Sequence, residues 1–143
     1  MGRQIERILK AKIKSDYCGT FASDRLPTNR TGLMVSNTDP AHLPGTHWVA
    51  IYISKDRRCG EFFDSFGRPP GKHFTEYLDK NCSNWTYNRR QLQSVASKFC
   101  GHYCVLYCVW RHRGVDMSRF VNFFTRDTGF NDALVRRAFR TIA

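Results

Sequence analysis

The sequence predicts one α+β domain with a small mixed or antiparallel central sheet, a helix that begins with cysteine, and flanking helices. A length of 143 residues suits a single hydrophobic core. Residues 46–66 hold two runs of β-branched and aromatic residues separated by a turn, which is typical of paired strands. Segments with helical periodicity lie before and after these runs. Helix, strands and then further helices, without repeats or linkers, indicate one α+β domain over residues 1–143.

The N-terminal residues 3–14 predict an amphipathic helix with basic residues opposite its apolar face. The apolar residues that share one face are Ile5, Ile8, Leu9 and Ile13. Residues 15–46 are rich in turn formers, and Ser23-Asp24 is a candidate start of a short helical turn. Within this region "GLMVSN", residues 32–37, predicts a short buried strand.

A hairpin is predicted next, because two strand-like runs flank a turn. "THWVAIYIS", residues 46–54, is dense in β-branched and aromatic residues and predicts a strand buried on at least one side. Residues 55–60 form the turn, and "EFFDSF", residues 61–66, forms the second strand. Gly67 and the following prolines end it.

The rest of the chain predicts mostly helices. In chain order we expect a short helix over 73–80, strands over 85–88 and 92–94, and helices over 100–113, 117–124 and 132–141. Gly114 is expected to end the helix that begins at Cys100, and Asn131 to cap the last helix.

The net charge of +11 predicts affinity for polyanions, of which nucleic acid is the commonest. The basic residues are scattered and no DNA-reading motif accompanies them, so sequence-neutral phosphate contact is the favoured interpretation. A merely soluble basic surface is the alternative.

No run approaches the ~20 apolar residues of a membrane span. Residues 1–14 lack the features of a secretory signal, so reduced thiols are expected rather than a disulfide scaffold.

Three of the six cysteines, Cys100, Cys104 and Cys108, stand four residues apart on the predicted helix. With His112 they would form a stripe about 18 Å long at ~1.5 Å per residue. One zinc ion reaches ligands only ~2.3 Å away, and no Cys-x-x-Cys pair exists to complete a site. We therefore expect no metal site, and we expect Cys104 and Cys108 to pack in the core.

Cys100 differs because it lies where a loop becomes a helix. Free N–H groups and the positive helix end stabilise a thiolate there, which makes the sulfur nucleophilic. A thiolate nucleophile needs a histidine, and that histidine needs an acceptor that orients it. His47 opens the first hairpin strand after Pro44-Gly45, and Asp64 lies at the end of the second. His102 lies on the wrong side of the helix to reach Cys100.

The segments "GTHWVAIYI", "FFDSFG" and "QSVASKFCGHYC" resemble the His-Trp, acidic, Gln and Cys-Gly blocks of the adenovirus protease (adenain) family. The wider clan includes the SUMO- and ubiquitin-like-specific proteases. The blocks occur in the family's order within residues 45–110, nearly half the chain. The chain departs from adenain in its acid, which is Asp as in the SUMO proteases rather than Glu, in Phe99 before the cysteine, and in its shorter length.

The resemblance implies the fold of those proteases and a role for each matching residue. Cys100 would be the nucleophile, His47 the general base that also protonates the leaving amine, and Asp64 the residue that orients His47. Gln93 would stabilise the oxyanion together with the Cys100 backbone N–H, and Gln91 is the competing glutamine.

Two further residues are implied in the substrate cleft. Trp48 would form a wall of the site beside the histidine. Gly101, next to the nucleophile in the Cys-Gly block, would also lie in the cleft.

The resemblance also implies a function: a cysteine endopeptidase that processes capsid and core precursors of a double-stranded DNA virus or a Maverick/Polinton-type element. Its setting would be the virion and host nucleus, as a monomer without metal or small-molecule cofactor. The family implies activation by DNA and by a short viral peptide, although no residue places the peptide. The alternatives are a ubiquitin- or SUMO-like deconjugating protease and a non-catalytic basic nucleic-acid-binding module.

Overall fold

A computed structural model describes residues 1–43 and 46–143 as a mixed five-stranded sheet packed between helices. The predicted turn at Pro44-Gly45 lies outside the described residues. The strands, in sheet order as well as chain order, are β1 Tyr17–Phe21, β2 Gly32–Asn37, β3 Trp48–Ile53, β4 Cys59–Phe63 and β5 Asn84–Tyr87. The predicted α+β class is confirmed.

The helices are α1 Gly2–Ile13, α2 Lys72–Asn81, α3 Cys100–His112, α4 Met117–Asn122 and α5 Thr128–Ile142, with a 3-10 turn at Lys14–Asp16. Each of the five helices was predicted from the sequence within a few residues of these bounds. None of the helices in the described ranges is both long and apolar enough to cross a membrane.

The sheet has an antiparallel centre and parallel edges. β2, β3 and β4 pair antiparallel, whereas β1 runs parallel to β2 and β5 runs parallel to β4. Alternate residues of β3 point to opposite faces. Val49 and Ile51 pack with α2, and Ala50 packs with α1, α3 and α4 on the other face. Both faces of the sheet are therefore covered, which explains why the β3 sequence is almost entirely apolar.

Helix α3 lies at the centre of the larger layer, where α1, α5 and β3 pack against it. Cys104 and Cys108 are fully buried in this core, as the sequence predicted, and burial raises the pKa of both thiols well above its usual range.

At the C-terminal end of α3, Arg111 pairs with Glu61 at 3.2 Å and lies over the ring of Tyr52. These contacts fix α3 against the β3–β4 hairpin.

One strand was missed, one predicted strand does not form, and the second hairpin strand, predicted over 61–66, instead spans Cys59–Phe63. β1 was not predicted, because it is short, contains Gly19 at a φ of 137° with an irregular register, and is surrounded by turn formers. The predicted strand at residues 92–94 does not form. Instead the backbone N–H groups of Leu92 and Gln93 both donate to the carbonyl of Ser65, so this segment is tied to the loop after β4 rather than to a strand ladder.

The predicted cap of the last helix was also wrong. α5 begins at Thr128, and the side chain of Asp127 caps it by accepting the N–H of Phe130 at 3.0 Å. Asn131 lies inside the helix and is fully buried, and its amide donates to the carbonyls of Leu92 and Thr125. Both residues have side chains suited to a cap, and the tertiary contacts of Asn131 decide which one serves.

Candidate active site

His47 and Asp64 meet at one end of the β3–β4 hairpin. His47 is the residue before β3 and Asp64 is the residue after β4, so antiparallel pairing brings the two positions together. His47 Nε2 lies 2.8 Å from Asp64 Oδ1, and the two side chains are only 12% and 7% exposed. A hydrogen bond between such groups is strong because little water competes for it.

Asp64 is held on both its side chain and its backbone. Its Oδ1 accepts the N–H of Phe66 at 2.8 Å in addition to its contact with His47. Asn88 accepts the Asp64 N–H at 2.9 Å and donates to the Asp64 carbonyl at 2.6 Å. Asn88 is buried and was not singled out in the sequence, where an isolated asparagine after a short strand gives no signal. Its two bonds fix the loop that presents the carboxylate.

Cys100 is the first residue of α3, and it lies close enough to the His47 imidazole for the two groups to shift each other's pKa. Burial alone would raise the pKa of the Cys100 thiol. His47, together with the backbone N–H groups of Trp48 and Gly101, outweighs burial and lowers that pKa below its usual value. Cys100 is therefore poised to be a thiolate, in contrast to Cys104 one turn further along the helix.

His47 carries the opposite shift. Burial alone would lower its pKa, but Asp64 and Cys100 outweigh burial and raise the pKa of His47 to about 9. Because Nε2 bonds Asp64, Nδ1 is the ring nitrogen that remains to exchange a proton with Cys100. Taken together, the two shifts favour a thiolate paired with an imidazolium, and the titration belongs to the pair rather than to either residue.

Phe66 fixes the plane of the imidazole. Its ring stacks on His47 with centroids 4.8 Å apart and an interplanar angle of 24°. The guanidinium carbon of Arg68 lies 4.8 Å from the centroid of the Phe66 ring. The Phe66 backbone N–H also bonds Asp64, so this one residue contacts both partners of the His47–Asp64 bond. The sequence placed Phe66 within "FFDSFG" but gave no reason to assign it a role.

Gln93 is fully buried just before α3, and both ends of its amide are fixed. Its Oε1 accepts the hydroxyl of Ser65 at 2.5 Å, and its Nε2 donates to the carbonyl of Ser97 at 3.0 Å. An amide nitrogen carries two hydrogens, so one remains after the bond to Ser97. Gln91 is exposed and donates to the Gln93 carbonyl. The assignment of the oxyanion role to Gln93 stays a prediction.

The two predicted cleft residues, Trp48 and Gly101, are each adjacent in the chain to a residue of the reactive pair. The backbone N–H of Trp48 contributes to the lowered pKa of the Cys100 thiol, and its half-buried side chain lines a groove beside α1. Gly101 is buried, and a Cβ there would come within 2.8 Å of Met1 Cε. Its Cα therefore faces α1, while its N–H contributes to the lowered pKa of the Cys100 thiol.

The other histidines take no part in this arrangement. His102 packs against Phe139, with ring centroids 4.1 Å apart, and burial lowers its pKa. His112 lies at the far end of α3, where it pairs with Asp16 at 2.5 Å. The sequence argument that His102 faces the wrong side of the helix is thereby confirmed.

Comparison with solved structures supports the predicted fold. The crystal structure of the ASFV pS273R protease matches with a TM-score of 0.65 and 20% sequence identity, over 92% of this chain and 63% of that chain. Its selenomethionine form matches with a TM-score of 0.52 and 23% identity, over 69% and 40% of the two chains. The likeness shows that this chain has the fold of that protease, and it spans less than two thirds of the protease's length. No protein-family model matches the chain, and no curated protein matches it significantly.

The Asp64→Asn substitution tests whether the carboxylate controls the reactive pair. A neutral amide cannot stabilise an imidazolium as a carboxylate does, so the pKa of His47 should fall from about 9. Loss of the imidazolium should raise the pKa of Cys100, and alkylation of that thiol by iodoacetamide at pH 6 should slow about tenfold or more.

The measurement is mass-spectrometric mapping of alkylated cysteines over time, with the exposed Cys59 as the internal reference. Asp79→Asn is the matched control, because Asp79 is exposed and its carboxylate bonds the indole of Trp85, away from His47 and Cys100. Equal Cys100 rates in Asp64→Asn and in the unmodified protein would contradict the assignment of Asp64 as the orienting acid.

Proposed function

We propose that the chain is a cysteine endopeptidase in which Cys100 is the nucleophile, His47 the general acid and base, and Asp64 the residue that orients His47. The single observation that carries the proposal is the buried bond between His47 and Asp64, beside a Cys100 thiol whose pKa His47 lowers. The fold shared with the ASFV pS273R protease supports the same reaction class.

The first half of the proposed reaction cleaves the peptide bond. The Cys100 thiolate forms a bond to the scissile carbonyl carbon, and the electron pair of the carbonyl moves to its oxygen. Collapse of this intermediate expels the amine, which takes the proton from Nδ1 of His47. The product with the new N-terminus leaves, and the other half of the substrate remains as a thioester on Cys100.

The second half regenerates the enzyme. Neutral His47 accepts a proton from a water molecule, whose oxygen attacks the thioester carbonyl. The carbon–sulfur bond then breaks, the acid product leaves, and the thiolate–imidazolium pair is restored. Asp64 holds the tautomer and the orientation of the ring in both halves and stays ionised throughout.

The oxyanion of each intermediate needs donors that are in place before the charge develops. We assign the backbone N–H of Cys100 and the second amide hydrogen of Gln93. Cys100 is the first residue of α3, so its N–H has no acceptor within the helix. The contacts of Gln93 with Ser65 and Ser97 support the assignment, because they hold the amide in one orientation.

We propose protein substrates of viral origin, namely capsid and core precursors, processed by a monomer in the virion and host nucleus. This part rests on the motif blocks in residues 45–110 and on the viral protease that shares the fold. Cleavage of ubiquitin or SUMO fusions is the competing substrate class. An enzyme of that class would process such fusions efficiently and leave short peptides intact.

Cleavage of a proteome-derived peptide library, mapped by mass spectrometry, tests the reaction and its pH dependence. We expect cleavage by the unmodified protein and none by Cys100→Ala, with Cys59→Ala as the matched control that keeps activity. The rate should fall at low pH as the thiolate is protonated. It should fall again as the pH rises through about 9, because the imidazolium then loses the proton needed by the leaving amine.

Retention of cleavage by Cys100→Ala would refute the assignment of the nucleophile. A ubiquitin fusion and a SUMO fusion, incubated in parallel, decide between the two substrate classes. Rapid processing of either fusion, with the peptide library left intact, would replace the viral-precursor proposal by deconjugation.

Gln93→Ala separates oxyanion stabilisation from thiol activation. We expect kcat to fall by about 10²–10³-fold, as for the loss of one oxyanion donor. Alkylation of Cys100 by iodoacetamide forms no oxyanion, so its rate should stay within about twofold of the unmodified protein. Gln91→Ala, at the exposed competing glutamine, is the control and should keep its kcat. A parallel loss of alkylation in Gln93→Ala would show disturbed folding instead of a lost donor.

We also propose that the protein binds DNA independently of sequence, because its net charge of +11 favours contact with phosphates. In this proposal, DNA binding activates the protease. Three exposed arginines of α5, Arg136, Arg137 and Arg140, are candidate phosphate contacts. Duplexes of unrelated sequence should bind with equal affinity. Replacing one contacting arginine by Gln should reduce the slope of log K against log salt by about 1.

The measurement is fluorescence anisotropy at several salt concentrations, with Lys72→Gln, whose lysine pairs with Glu76, as the control. Binding that ignores salt would contradict phosphate contact. The non-catalytic module would be favoured by two results together. The unmodified protein would cleave no substrate, and the Cys100→Ser variant would still bind DNA.

A further inference from the structure

A groove of about 760 Å³ lies between helix α1 and residues 37–43, and Trp48, the residue after His47, forms part of its lining. We infer that this groove binds an acidic stretch of the protein substrate, on one side of the scissile bond. The inference rests on the proposed function, since it names the substrate class of the same site. The residues that carry it are Arg3, Arg7, Lys10, Phe21 and Trp48.

Trp48 connects the groove to the nucleophile. Trp48 follows His47 in the chain, and its side chain lines the groove. Met1 also lines the groove, and it lies against Gly101, the residue after Cys100. A Cβ on Gly2 of α1 would lie 3.2 Å from the Trp48 ring, so α1 packs directly along this wall. A peptide whose carbonyl lies at Cys100 can therefore extend past Trp48 into the groove.

The α1 wall of the groove is basic. Arg3, Arg7 and Lys10 all line it and are exposed. Positions spaced by four and then three residues share one face of a helix, so the three charges form a row. The row is about 10 Å long at ~1.5 Å per residue, which matches about three residues of an extended peptide at ~3.3 Å each.

Two carboxylates also line the groove and reduce its net charge. Glu6 pairs with Lys10 at 3.3 Å, and Asp39 accepts the hydroxyl of Thr46 at 3.1 Å. Across residues 1–43 and 46–143, neither Arg3 nor Arg7 forms a salt bridge. These two arginines are therefore available to substrate carboxylates, which they can bind with two hydrogen bonds each.

A peptide fits this groove better than nucleic acid does. A phosphate backbone carries a charge at every step and would pass close to Glu6 and Asp39, which repel it. A peptide can instead place one or two carboxylates opposite Arg3 and Arg7. Its apolar residues can then contact the Phe21 and Trp48 side chains in the same groove.

Binding to Cys100→Ala protein tests the inference without requiring turnover. The probe is a library of random dodecapeptides, recovered on the immobilised protein and sequenced. We expect Asp and Glu to be enriched within a window of about three adjacent positions. A synthetic peptide of the enriched sequence should bind about three- to tenfold more weakly to the Arg3→Gln/Arg7→Gln double variant.

The control is Lys12→Gln/Lys55→Gln, which removes the same charge from exposed residues outside the groove and should leave peptide affinity unchanged. No acidic enrichment, or equal losses in both double variants, would overturn the inference. It would also be overturned if a DNA duplex displaced the peptide and lost its own affinity in Arg3→Gln/Arg7→Gln, because the groove would then bind nucleic acid.

The library cleaved by the unmodified protein separates this inference from the proposed function. Cleavage without a preference for acidic residues would support the endopeptidase and refute the binding of acidic substrate residues in the groove. Acidic enrichment on Cys100→Ala, together with no cleavage by the unmodified protein, supports acidic peptide binding in the groove and refutes the endopeptidase.

Discussion

The hydrogen bond between His47 and Asp64 is the constraint on which the rest of the site depends. It requires the start of β3 and the end of β4 to meet at the same end of an antiparallel pair. Asn88 and Phe66 then hold the loop that carries the carboxylate, and the Phe66 ring also stacks on the imidazole. These contacts restrict the motion of the Asp64 loop and of the His47 ring, and the bond between them is shielded from water. The imidazole is therefore held in one orientation toward Cys100.

Helix α3 serves both as the centre of the core and as the support of the nucleophile. Cys100, Cys104 and Cys108 are the same residue type on one helix, yet their surroundings differ. At the first turn, His47 and two backbone N–H groups lower the pKa of the Cys100 thiol. Further along the helix burial is the largest cause, and the pKa values of Cys104 and Cys108 are raised. Position along the helix therefore decides which thiol can react.

The sequence predicted all five helices and most of the sheet, because periodicity and strand composition are local signals. It failed where long-range contacts decide the structure. β1 is held by parallel pairing with β2, and residues 92–94 are bound by Ser65 instead of a strand. Asn131 has the right chemistry for a helix cap, but its buried bonds to Leu92 and Thr125 place it inside α5. In each case a distant partner outweighed the local preference.

By itself the sequence determined the identity of His47, Asp64, Gln93 and Cys100 as candidates and the order of the elements that carry them. The ordered motif blocks and the loop-to-helix position of Cys100 are properties of the chain that need no tertiary contact. Only the tertiary structure decided that His47 bonds Asp64 beside Cys100, that Asn88 and Phe66 support the pair, and that a basic face of α1 borders the site. The physical reason is that shifts in pKa and groove charge arise from groups far apart in the chain, which become neighbours only when the core forms.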